Sequence, residues 1–172
     1  MTRRIGRSWR LCEDRAMSFT RYFAYGSNMA ESVMAAHCPG HRYIGPADLP
    51  EHRLAFTRRS VRTLTGVADI VRADGRSVWG ALYELDESDL LAIDRKEGNG
   101  SNYERMPVRV RPDGRKPYSD ALTYAVIDPL DTEVQPSPEY LDGLVKAARA
   151  RGLPVEYRHA LAALAEASRD WL

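Results

Sequence analysis

Apolar and polar residues alternate at two different periods along this chain, and the changes of period divide it into strands and helices. Met106, Val108 and Val110 alternate with Pro107, Arg109 and Arg111. That two-residue period turns one face to a core and the other to water, so Met106–Val110 is predicted as a strand. Runs rich in β-branched and aromatic residues predict further strands over Tyr43–Leu49, His52–Thr57, Gly66–Val71, Val78–Glu84 and Leu122–Ile127. Turn chemistry separates them at Asp48-Leu49-Pro50-Glu51, Ala73-Asp74-Gly75-Arg76 and Pro112-Asp113-Gly114. Many short strands at such spacing suggest a small closed or nearly closed barrel.

Helical spacing takes over in three places. Ser137-Pro138 reads as a cap with proline at the first helical position, and Leu141, Leu144, Val145 and Ala148 repeat at helical spacing until Gly152. From Pro154 a second helix carries Tyr157, Leu161, Leu164 and Ala165. Both are read as supports packed on the barrel. The stretch from Pro129 to Pro136 between strand and helix is predicted to be a mobile segment near the functional site. A third helix begins near Asp86, whose side chain can cap it. Leu90, Ile93 and Glu97 share one face of it, Arg95 and Lys96 turn mostly to solvent, and Gly98 ends it. Glu97 therefore extends an apolar face at the negative end of the helix dipole, where desolvation and dipole both disfavour ionisation. Spacing alone leaves open a frayed last turn with an exposed glutamate.

Near the other end of the chain, Arg21–Tyr25 reads as a strand running into a glycine turn. A helix opens at Asn28, with Glu31 three residues on as in a capping box. Such a corner leaves unpaired N–H groups at the helix start, a place for a carboxylate or phosphate. Strand–glycine–helix corners are common, so these residues alone favour a structural role.

The sequence Tyr25-Gly26-Ser27-Asn28 after a strand resembles the gamma-glutamylcyclotransferase family, and the blocks that follow resemble it in the family's order. They are Gly45-Pro46-Ala47-Asp48-Leu49, Arg53-Leu54-Ala55-Phe56, Gly66-Val67-Ala68-Asp69-Ile70 and Val78-Trp79-Gly80-Ala81-Leu82-Tyr83. Glu97-Gly98 with Tyr103 behind it, and Pro136-Ser137-Pro138-Glu139-Tyr140-Leu141, complete the set, which spans roughly Thr20 to Ala165. The resemblance implies an α+β fold, a small mixed β-barrel with flanking helices. It also implies a cofactor-independent enzyme that cuts a γ-glutamyl amide by closing the glutamyl part into 5-oxoproline.

In that family the glutamate of the Glu-Gly block is catalytic, which makes Glu97 the general base and acid. The substrate's α-amino group attacks its own γ-carbonyl, so the site needs little beyond a folded pose and a proton shuttle. The Gly26, Ser27 and Asn28 amides are then candidates to hold the substrate's charged or developing oxygens, its α-carboxylate first among them. Tyr22 or Tyr25, with Tyr103 and Tyr124, are candidates for the pocket wall and its hydroxyl contacts. The Tyr-Gly-Ser-Asn form is similar to the branch acting on γ-glutamyl amino acids, with related γ-glutamylated amines left open.

Two other readings compete. A Ser27-dependent amide hydrolase lacks a G-x-S-x-G elbow, and His37, His41, His52 and His159 offer no evident triad partner. A catalytically silent protein of this fold that only binds an amino-acid-like ligand is disfavoured by the glutamate at position 97.

Composition adds limits. The 172 residues are 44% hydrophobic and 28% charged with a net charge of +1, ordinary for one soluble globular domain. No run approaches the length of a membrane span. Residues 1–16 carry +3, leaving the rest at about −2 with 20 basic and 22 acidic residues, which argues against a nucleic-acid surface. That basic segment precedes the family-like region and Met17, and is read as a disordered extension or a mis-assigned start, with residues 17–172 as the domain. Of the two cysteines, Cys12 lies in the segment and Cys38 at a helix end, so no disulfide is expected and a cytoplasmic setting fits. Cys38 is read as a buried structural residue despite its neighbour His37. The expected partner is a small γ-glutamyl molecule, with no metal, nucleic acid or membrane.

Overall fold

Strand β1 (Thr20–Ala24) sits at the closure of a barrel, antiparallel to one neighbour and parallel to the other. The computed structural model describes residues 18–170, so the expectations for residues 1–16 and for Cys12 lie outside the described residues. After β1 come a single 3-10 turn (Ser27–Met29) and helix α1 (Glu31–His37). Strands β2 (Arg42–Arg59) and β3 (Gly66–Leu85), helix α2 (Glu87–Glu97), and strands β4 (Tyr103–Pro112) and β5 (Ser119–Val126) follow. Helices α3 (Pro138–Ala150) and α4 (Val155–Arg169) finish the described chain. The strands close in the order β1-β3-β2-β4-β5, with β1 and β5 as the parallel pair. The expected mixed barrel with flanking helices is what forms.

Two boundaries differ from expectation for a physical reason. The stretches predicted as four strands are two long ones, because their turn residues bend the ladder without leaving it. Glu51 takes a left-handed φ of 58° after Pro50, so β2 kinks there while its pairing with β3 resumes at His52 and Arg72. Opposite the kink, residues 73–76 have no partner and bulge outward, with Gly75 at φ 71° and its N–H donated to Glu51 Oε2. The capping box at Asn28 does not form either. Ala30 stands at the N-cap of α1 with no side-chain cap, Asn28 points inward, and Glu31 pairs with Arg151 and His41.

The barrel interior is an all-strand cluster that includes Phe23, Leu49, Ile70, Val78, Leu82 and Val110. The opposite face of β1 carries Tyr22, which joins Tyr83 beneath the helices together with Met34, Ile93, Leu141, Leu144 and Leu161. β1 is thus covered on both sides, and this fixes the exit of the chain toward Gly26. β3 comes close to β1 at Gly80, where a Cβ would collide with the Ala24 carbonyl oxygen and stand 2.8 Å from the Phe23 ring. Gly80→Ala should therefore destabilise the fold by ~1–3 kcal/mol, the usual range for overpacking. An unchanged thermal midpoint would refute this packing account.

Cys38 is fully buried with its thiol 3.4 Å from the Asp89 carbonyl oxygen, as expected of a structural cysteine. Burial first, then the nearby Asp89 and Asp86 charges, push the thiol up to about 12, so it stays protonated near neutral pH. The 129–136 segment departs from expectation. Leu130 and Val134 N–H groups donate to Thr57 and Phe56 carbonyls, the Gly66 N–H donates to the Gln135 carbonyl, and Glu133 accepts from Arg53 and the Phe56 N–H. It is fastened along β2, and the turn that borders the site is instead Ser60–Arg62. Among the described residues no helix is long and apolar enough to cross a membrane.

Candidate active site

Helix α2 aims Glu97. Asp86 Oδ1 accepts the Asp89 N–H at 2.8 Å to start the helix, and Gly98, at φ 64° and ψ 51°, ends it immediately after Glu97. Leu90 and Ile93 anchor the apolar face, so the residue one turn beyond them is drawn inward, and the Glu97 side chain is only 16% exposed. It reaches a cavity of about 370 Å³ that it shares with the corner from Tyr25 to Asn28. Two elements separated by nearly seventy residues thus meet in one site.

The meeting is a direct contact. Asn28 Nδ2 donates to Glu97 Oε1 at 2.9 Å and to the Tyr22 hydroxyl oxygen at 2.7 Å. Lys96 Nζ lies 3.0 Å from the same Oε1. Both fixing contacts fall on one carboxylate oxygen, and Oε2 has no partner among the described residues. Lys96 corrects the expectation that it turns to solvent. Its side chain is 20% exposed and curls back over the last turn onto its neighbour.

The backbone of the corner is equally available. Met29 N–H closes the 3-10 turn on the Gly26 carbonyl at 3.0 Å, and Ala30 N–H on that of Ser27 at 3.1 Å. No acceptor among the described residues meets the N–H groups of Gly26, Ser27 or Asn28, which leaves up to three donors near the carboxylate. Asn28 Oδ1 is buried without a partner as well, an acceptor beside these donors.

All four tyrosines considered as wall residues line this cavity, but their hydroxyls are not equivalent. Tyr25 donates to the Tyr124 carbonyl at 2.6 Å and Tyr103 to the Ala68 carbonyl at 3.1 Å. Tyr124 donates to Asp94 Oδ1 at 2.6 Å, and Arg105 holds that carboxylate through both oxygens. These three therefore supply ring surface rather than free hydroxyls, a correction to their predicted part. Only Tyr22, which accepts from Asn28, keeps its own proton unengaged. Burial, and then the Glu97 charge, raise the Tyr22 hydroxyl well above its ordinary value, so it remains a neutral donor.

Among the lining residues to which the sequence assigned no part in the site are Tyr140, Lys96, Arg58 and Arg62. Tyr140 stood in a quoted block without a role; its hydroxyl oxygen accepts the Ala68 N–H at 3.1 Å. The arginines follow the predicted His52–Thr57 strand with no role assigned to them, and only non-local pairing brings them here. Ser27 is exposed at the cavity, and none of the four histidines lines it. Among the described residues no group of three or more His, Cys, Asp or Glu is placed to hold a metal.

Comparison with known proteins bears on the family and the fold. Residues 77–161 match the family model described as AIG2-like. The human protein named gamma-glutamylcyclotransferase is 29% identical over 148 residues, which cover 83% of this chain and 77% of the relative. The bovine protein of the same name is 29% identical over 145 residues, covering 81% of this chain and 76% of the relative. A solved structure titled gamma-glutamyl cyclotransferase superposes with a TM-score of 0.77 at 27% identity, covering 85% of this chain and 88% of that one. The resemblance seen first in short ordered blocks thus extends to the whole barrel, and the chain is similar in sequence and in fold to gamma-glutamylcyclotransferases.

Proposed function

We propose that this protein is a cyclotransferase that converts a γ-glutamyl amide into 5-oxoproline and a free amine, with Glu97 as the proton shuttle. The observation that carries the reading is the contact between Glu97 and Asn28, which sets a half-buried carboxylate against a corner of free amides. The Gly26–Asn28 N–H groups hold the substrate's α-carboxylate. The adjoining α-ammonium then stands by Glu97 Oε2 and gives up a proton to it. The freed amine attacks the γ-carbonyl carbon and forms the lactam C–N bond, and Glu97 returns the first proton to the amide nitrogen as the amide C–N bond breaks. The second proton lost by the attacking nitrogen passes the same way to the departing amine, which leaves as an ammonium. No water is consumed and no cofactor is required by this balance.

Ring walls from Tyr25, Tyr103 and Tyr124 favour the folded pose by restricting the glutamyl chain, and the Tyr22 proton is free for a substrate oxygen. A serine acyl-enzyme finds no support, since no histidine lines the cavity with Ser27. The family setting and the free, fully buried Cys38 support a reducing, cytoplasmic environment. The test is a panel of γ-glutamyl amino acids and γ-glutamyl amines assayed for 5-oxoproline. Release of 5-oxoproline with an equal amount of amine is the expected result; no release from any member of the panel would overturn the reading.

A further inference from the structure

We propose that the leaving group is an amino acid with an acidic side chain, so that the preferred substrate is a γ-glutamyl dicarboxylic amino acid. This rests on the cyclotransferase reading of the cavity and adds the identity of the departing half. The cavity is lined by three cations, Arg58, Arg62 and Lys96, against one anion, Glu97. Lys96 and Glu97 neutralise each other at 3.0 Å. The glutamyl half of the substrate brings one ammonium and one carboxylate, which also cancel. Two guanidinium groups remain.

Neither has an anionic partner among the described residues. Arg58 is half-buried, donates to the neutral Asn102 Oδ1 at 2.6 Å, and stands 5.9 Å from the centre of the Tyr103 ring. A partly desolvated guanidinium in such surroundings is stabilised by an incoming carboxylate. Arg62 is exposed on the turn between β2 and β3, beside Ser60 and Val61 at the mouth. With the glutamyl half held by the Gly26–Asn28 amides and Glu97, the departing half lies among the remaining lining residues, which include these two arginines. A simple amine would leave both unpaired and a neutral amino acid would leave one. An acidic amino acid, with its α-carboxylate and a side-chain carboxylate, satisfies both.

The experiment compares γ-glutamyl-glutamate with γ-glutamyl-glutamine, which share shape and differ by one charge, using the full chain and 5-oxoproline release as readout. At low ionic strength kcat/KM should favour the glutamate compound by about 5- to 10-fold, a modest factor because Arg62 is exposed. The ratio should shrink toward one in molar salt, where the screening length is only about 3 Å. It should also shrink in Arg58→Gln and Arg62→Gln. Equal kcat/KM for the two compounds at low salt, with 5-oxoproline formed from both, would overturn this proposal and leave the cyclotransferase reading standing. Absence of 5-oxoproline from every γ-glutamyl compound would remove both. Because the salt series uses the unaltered protein, it decides the matter even if an arginine variant folds poorly.

Discussion

Replacing Glu97 by glutamine should lower kcat by at least about 100-fold while the protein stays folded, because a positioned acid–base group contributes roughly 10²–10⁴-fold. The substitution separates chemistry from structure well at this position. The amide keeps the size of the carboxyl, and its oxygen can still accept from Asn28 Nδ2 and Lys96 Nζ, the two groups that fix Oε1. What it cannot do is take a proton from the substrate ammonium through the second oxygen. The loss of charge leaves Lys96 an amide oxygen to donate to, and its flexible stem can carry the ammonium toward water, so the fold is kept. If Glu97 acted only in ground-state binding, KM would rise and kcat would hold. Steady-state kinetics together with a melting curve therefore decide the assignment, and turnover near that of the wild type in a folded Glu97→Gln variant would falsify it.

How much of this was legible in the sequence depends on the range of the interaction. Local signals translated directly: Asp86 and Ser137 cap their helices through side-chain oxygens, and Gly98 stops α2 one residue after the glutamate it presents. Alternation placed Val108 and Val110 in the barrel. The turn signals at Pro50 and Gly75 were real as bends but misleading as strand ends. Whether a bend ends a strand depends on the partner across the ladder, and here a bulge in β3 faces the kink in β2. Asn28 looked like a cap because its neighbourhood is that of a helix start. The buried Tyr22 hydroxyl, six residues back, and the Glu97 carboxylate, 69 residues on, drew its amide inward instead, and only the fold brings the carboxylate to Asn28. The same limit hid Arg58 and the engaged tyrosine hydroxyls, whose partners lie 30 to 99 residues away. Lys96 was missed for the opposite reason. Helical geometry sends adjacent residues to different faces, but a long flexible stem at a helix end can reach back to its neighbour.

Acetylating the α-amino group of a γ-glutamyl dipeptide should abolish its turnover, the largest effect expected of any change to the substrate. In the proposed chemistry that nitrogen is the nucleophile, and an acetamide nitrogen has neither an available lone pair nor a proton that Glu97 can remove near neutral pH. The free dipeptide should give 5-oxoproline and one amino acid, with no glutamate. In heavy-oxygen water neither product should gain label, because the bond exchange needs no solvent oxygen. A serine acyl-enzyme makes the reverse demands. It would accept the blocked amine, release labelled glutamate, and lose nearly all activity in Ser27→Ala. Under cyclisation the position contributes its backbone N–H, which the alanine variant retains, so Ser27→Ala should keep most of its turnover. The physical preference between the two follows from tethering. An amine held in the same molecule as its target carbonyl has an effective concentration on the order of 10⁵ M or more, whereas a hydrolase must capture and orient a water against bulk solvent. The cavity offers no histidine to activate that water, and it places a carboxylate where the glutamyl ammonium would stand. Glutamate as the first product, or turnover of the acetylated dipeptide, would return the site to the hydrolytic reading.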